Sequence, residues 1–110
     1  MTKVSASILS VNDLDDTIKE LNTLDIDYIH LDIMDGKFVP NTSFTYDQIK
    51  KIIEVSEKPF DVHLMVRDVE DYIYHYAMLN TEYITFHYEV LKDLKMEFML
   101  ITMNLHLVII

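Results

Sequence analysis

Three short segments place imidazoles and carboxylates at alternate positions, and those residue types at that spacing can do metal chemistry. In Ile29-His30-Leu31-Asp32-Ile33-Met34, His30 and Asp32 are two residues apart. In Phe60-Asp61-Val62-His63-Leu64-Met65-Val66 the alternate set is Asp61, His63 and Met65, and in Tyr83-Ile84-Thr85-Phe86-His87-Tyr88-Glu89 it is Thr85, His87 and Glu89. Successive side chains of an extended strand point to opposite faces, so each polar set shares one face and leaves the apolar residues on the other. Burying such groups unpaired would cost several kcal/mol, so the three strands must converge their polar groups on one interior. One histidine on an apolar strand is more often a satisfied core residue than a ligand; three on neighbouring strands point to a site. Two imidazoles and a carboxylate form a partial coordination shell suited to Zn, Fe, Mn or Co, with remaining positions left for another carboxylate and substrate oxygens. An ion held there would act as a Lewis acid on a carbonyl and stabilise an enediolate. Asp32 would then both bind the ion and move a proton, since a carboxylate beside the reacting carbon is a competent general base.

The elements that position these residues follow from the apolar period, which alternates between strand-like and helix-like. Strands are expected at Val4 to Leu9, Tyr28 to Met34, Phe60 to Val66 and Tyr83 to Tyr88. Between them fall a helix with Leu14, Ile18 and Leu21 on one face behind a Ser10/Asn12/Asp13 capping cluster, a helix marked by Ile49, Ile52 and Ile53, and a helix over Val69 to Leu79. Asp35 to Asn41, which holds the single glycine and one of two prolines, reads as a loop. The alternation implies βα units on a parallel sheet. Each unit takes about 23 to 32 residues, the allotment of a (β/α)₈ barrel, and eight of them need about 200 residues or more. The 110 residues have room for about four, the N-terminal half of such a barrel.

Composition narrows the function classes. Nine Lys and Arg against nineteen Asp and Glu give a net charge of -10, so nucleic acid and anionic membranes are not expected partners. Without cysteine there is no disulfide, no thiolate nucleophile and no Cys-ligated zinc, and a reducing, cytoplasmic compartment is expected. No stretch reaches the length of a membrane span, and the N-terminus lacks a signal-peptide core. A single glycine rules out a P-loop or dinucleotide fingerprint. His75 and His106 read as structural. The stretch from Phe98 to Ile110 is uncharged and apolar, either a buried strand or a segment never selected for this fold.

Ser7-Ile8-Leu9-Ser10, HLDIMDGKFVPN from His30 to Asn41, DVHLMV from Asp61 to Val66 and ITFHYE from Ile84 to Glu89, in this order, resemble ribulose-phosphate 3-epimerase. The resemblance covers roughly residues 1 to 94, leaving 95 to 110 as a divergent apolar tail. Allulose-6-phosphate 3-epimerases share much of the same set. The resemblance implies a (β/α)₈ barrel enzyme, homo-oligomeric at full length, that interconverts D-ribulose 5-phosphate and D-xylulose 5-phosphate in the pentose phosphate pathway by proton transfer at C3. It implies metal ligation by His30, Asp32 and His63, a catalytic role for Asp32, and substrate contacts from Ser7, His63, Met34 and Met65. The family's second catalytic aspartate, also the fourth ligand, and its phosphate loops belong to later strands than those read here. A frame change near Leu94 that truncates the product is therefore expected, with a non-catalytic remnant as the alternative to an active enzyme.

Overall fold

A computed structural model describes residues 2–8, 13–90 and 106–110. Among the described residues five strands and three α-helices follow in the order β1 (Ser5–Ile8), α1 (Leu14–Asn22), β2 (Tyr28–Met34), α2 (Tyr46–Ile53), β3 (Phe60–Met65), α3 (Val69–Ala77), β4 (Thr81–Phe86) and β5 (His106–Ile109). All neighbouring strands are parallel and the sheet order is β1-β2-β3-β4-β5, the arrangement of the N-terminal part of a (β/α)₈ barrel.

The helices cover one face of this sheet. Ile29, Leu31, Ile33, Phe60, Val62, Leu64, Ile84 and Phe86 project into that layer, each no more than 1 % exposed. They meet Ile18 of α1, Ile49 and Ile52 of α2, and Val69, Ile73 and Tyr76 of α3 in one apolar cluster. Burying each such side chain stabilises the fold by about 1.5–3 kcal/mol. No polar residue is buried among the described residues, so the polar half of each strand must lie on the other face.

Helix starts differ in how they are held. Asp13 is the N-cap of α1 but makes no side-chain cap bond, whereas Ser10 and Asn12 of the expected capping cluster lie outside the described residues. At α2 a full capping box forms: Gln48 N–H donates to Thr45 Oγ1 at 3.2 Å, and Thr45 N–H donates to Gln48 Oε1 at 2.9 Å. Between β2 and α2, Asp35 Oδ1 accepts from Lys37 N–H and Phe38 N–H at 2.8 and 2.9 Å, and Asp35 Oδ2 accepts from Arg67 N–H at 2.8 Å. Despite partial burial, which raises a carboxyl pKa, these donors hold Asp35 below its ordinary value. Gly36 turns the chain at φ 76°, and a Cβ there would come within 3.0 Å of Thr42 Cγ2. Both facts require glycine at that position.

β1 starts one residue later than expected, at Ser5, β3 ends one residue earlier, at Met65, and α3 ends two residues earlier, at Ala77; β4 departs at both ends. β4 starts at Thr81 instead of Tyr83, because a register shift at Phe60/Asp61 pairs these consecutive residues with Thr81 and Tyr83 and lets the polar Thr81-Glu82 pair join the ladder. It ends at Phe86, and Tyr88–Val90 form a 3₁₀ turn that removes Glu89 from the strand. Of the apolar tail, His106–Ile109 form β5 beside β4, with Val108 and Ile109 each 40 % exposed. The tail's residues 95–105, and Leu94 where a frame change was expected, lie outside the described residues. No helix among the described residues is long and apolar enough to cross a membrane.

Candidate metal centre

Register decides which polar groups meet. β2 and β3 pair His30 with Asp61, Asp32 with His63 and Met34 with Met65; β1 pairs Ser7 with His30; β4 pairs Thr85 with His63. Glu89 apart, the polar sets expected from alternation therefore share the face opposite the helices. His30 Nε2 lies 2.9 Å from Asp32 Oδ1, and His63 Nδ1 lies 3.3 Å from the same oxygen. Ligand atoms of His30, Asp32 and His63 all fall within 4.8 Å of one another. Two imidazole nitrogens and one carboxylate oxygen at that spacing fit a divalent ion of the zinc or iron type.

Support for these ligands comes from residues to which the sequence alone gave no role. Asp61 Oδ2 lies 2.9 Å from His30 Nδ1 and also accepts from Ser5 Oγ–H at 3.1 Å. A carboxylate on the far nitrogen of an imidazole holds the proton at Nδ1 and turns the bare Nε2 toward the ion. On the other side, His63 Nε2 lies 3.0 Å from His87 Nε2. Alternation had placed Asp61 and His87 on the correct face; only the strand register shows what they touch.

Electrostatics differ for the two imidazoles. Partial burial lowers the affinity of His30 for a proton, but the flanking Asp61 and Asp32 outweigh it and leave the pKa raised. For His63, burial again lowers the pKa; Asp32 opposes this, and the neighbouring His87 and His30 reinforce it, so the net direction is down. At a cation site here, protons would compete more strongly at His30 than at His63.

An open cleft of about 520 Å³ lies beside Asp32, lined also by Met34, Pro40, Asn41, Thr42 and Ser43. That volume lies within the range of small-molecule sites. Met34 and Met65 sit side by side at the ends of β2 and β3, and Ser7 stands at the exposed end of β1. The other two histidines lie apart from this group: His75 Nδ1–H donates to the Asp71 carbonyl of its own helix at 2.6 Å, and the exposed His106 stacks on Tyr83 and lies 3.6 Å from Glu82.

A second cleft, on the helix side, is lined by Phe44, Tyr46, Asp71, Tyr72, His75 and Tyr76 among others; its histidine and carboxylates are not among the described residues grouped closely enough to hold a metal ion. There the Tyr76 hydroxyl is buried without a hydrogen-bond partner, and burial pushes its pKa up. An unsatisfied buried polar group costs about 1–3 kcal/mol. Tyr76→Phe is accordingly expected to raise the urea midpoint of unfolding, by up to about 1 kcal/mol of stability; a lower midpoint would mean that the hydroxyl is satisfied in solution.

Comparison with known proteins decides the lineage. The model of the ribulose-phosphate 3 epimerase family matches residues 3–107. The chain belongs to this family. A ribulose-phosphate 3-epimerase of Methanocaldococcus jannaschii is 39 % identical over 94 residues, which are 84 % of this chain and 39 % of that protein. One of Bacillus subtilis is 35 % identical over 96 residues, covering 86 % of this chain and 44 % of the relative. The chloroplastic ribulose-5-phosphate-3-epimerase of Arabidopsis thaliana is 34 % identical over 88 residues, 78 % of this chain and 31 % of its own length. The family is one of isomerases, and this member spans about two fifths of the length of the first two relatives.

Proposed function

We propose that this epimerase-family chain holds a divalent ion, zinc or iron, with His30, Asp32 and His63, and uses Asp32 to exchange the C3 proton of a ketose phosphate such as D-ribulose 5-phosphate. The observation that carries the reading is the meeting of both imidazoles on one oxygen of Asp32, at 2.9 and 3.3 Å, beside an open cleft. When bound, the ion supplies Lewis-acid stabilisation of the negative charge that develops on the ketose oxygens. The chain's own residues do the rest. Asp32, 17 % exposed, takes the proton from one face of C3 and can return it to that face. Asp61 holds His30 in the ligating tautomer. Met34 and Met65 provide a soft apolar wall against the reacting carbons, and Ser7 a hydroxyl for the substrate. A cytoplasmic setting suits a cysteine-free chain with an oxygen- and nitrogen-donor site.

Epimerisation also needs a proton delivered to the opposite face. Among the described residues Asp32 is the carboxylate placed against both imidazoles, so these residues account for exchange more directly than for inversion. The test is ribulose 5-phosphate in deuterated water with the zinc-loaded chain, followed by proton NMR at C3. Deuterium entry that depends on zinc and disappears in Asp32→Asn is the expected result. No exchange by a chain shown to carry zinc would leave a second reading, a metal-binding protein without turnover. That alternative is favoured by the openness of the face, since side-chain exposures of 17–24 % leave water near the reacting groups.

A further inference from the structure

His87 stands just past the end of β4 and takes no part in the chemistry proposed above. Its Nε2 lies 3.0 Å from His63 Nε2, with 24° between the ring planes. On its other side the Phe38 ring sits 5.0 Å away, centroid to centroid. Phe38 belongs to the loop that Asp35 pins through three backbone donors, its own N–H among them, so the His87 ring is packed against an anchored segment. Between the two facing nitrogens there is room for one proton.

We propose that His87 is a positioning residue for the metal centre: its Nε2 accepts the proton of His63 Nε2–H and so keeps His63 Nδ1 bare and aimed at the position shared with Asp32 and His30. The argument rests on the reading of those three residues as ligands. His63 Nδ1 faces Asp32 Oδ1 at 3.3 Å, two acceptors that a cation joins when Nδ1 carries no proton. Neutral imidazole has a single N–H, so ligation through Nδ1 obliges Nε2 to hold it. A buried or half-buried N–H needs an acceptor, and His87 supplies it, as Asp61 supplies one for His30. The centre is then braced symmetrically, a carboxylate behind one imidazole and a second imidazole behind the other. His87 reaches the ion only through His63.

Two variants separate acceptor from packing. His87→Phe keeps a ring between Phe38 and His63 but has no acceptor, whereas His87→Gln offers Oε1 to the same proton. Zinc affinity is measured by competition with a chromogenic chelator at fixed pH, on chains whose fold is checked by circular dichroism. H87F is expected to bind zinc about 10–100-fold more weakly than the unaltered chain, and H87Q to recover most of that loss. In the ¹⁵N-labelled, zinc-loaded chain, a slowly exchanging Nε2–H signal of His63 is expected for the unaltered protein and H87Q and is lost in H87F. Equal affinity and a retained signal in H87F would overturn the role of His87 while leaving the centre intact; H87Q as weak as H87F would overturn the acceptor assignment. An unaltered, folded chain that takes up no zinc would overturn the centre itself, and this role with it.

Discussion

Asp32→Asn is expected to abolish tight uptake of zinc while leaving the fold in place. The Asp32 oxygen that His30 and His63 approach at 2.9 and 3.3 Å is the point where the two strands' ligands meet. An amide of the same shape keeps the contact with the imidazoles but removes the charge that binds a dication. Changes one shell further out cost about 10–100-fold in metal affinity; loss of a direct charged ligand should cost more than about a hundredfold, above that range. Calorimetric titration of zinc into the unaltered chain and D32N measures the difference. Asp32 takes no part in the apolar cluster, so the urea midpoint should move by no more than about 0.5 kcal/mol of stability. Comparable zinc affinity in both proteins would place the ion elsewhere.

Phe60→Ala should act on the fold instead. Phe60 opens β3, the central strand, is 0 % exposed, and pairs with Ile29 on one side and Thr81 on the other. Its N–H donates to the Asn80 carbonyl at 2.8 Å, tying the start of β3 to the start of β4. Truncating a buried phenylalanine costs about 3–5 kcal/mol, out of the roughly 5–15 kcal/mol that holds a domain together. Urea denaturation followed by circular dichroism should show the midpoint collapse. Since β3 carries both Asp61 and His63, zinc uptake should fall with the folded fraction. A loss below about 1 kcal/mol would mean the site relaxes around the cavity or that Phe60 is not core.

The faces of the strands were legible because alternation is a local property. Ile29, Leu31 and Ile33 are at most 1 % exposed, while the intervening His30 and Asp32 keep 24 and 17 % of their side chains accessible, as period-two spacing requires. Helices were legible for the same reason, through Ile18, Ile49, Ile52, Val69 and Ile73 at helical spacing. Partnerships across strands were not. That Asp61 stands behind His30 and His87 behind His63 depends on register, and the bulge at Phe60/Asp61 that sets the β3–β4 register leaves no mark in residue type. The position of Glu89 failed similarly: alternation continues through it, but the backbone coils into a 3₁₀ turn at Tyr88. The Thr45–Gln48 capping box is written in the sequence as a Thr-x-x-Gln spacing ahead of the apolar run of α2.

The most direct test is anomalous diffraction from crystals of the chain grown with zinc. The expected result is a single strong peak about 2.0–2.2 Å from His30 Nε2, His63 Nδ1 and an oxygen of Asp32, with Asp61 still bonded to His30 Nδ1. A peak at the exposed His106–Glu82 pair with none between β2 and β3, or no peak at all, would contradict the metal centre.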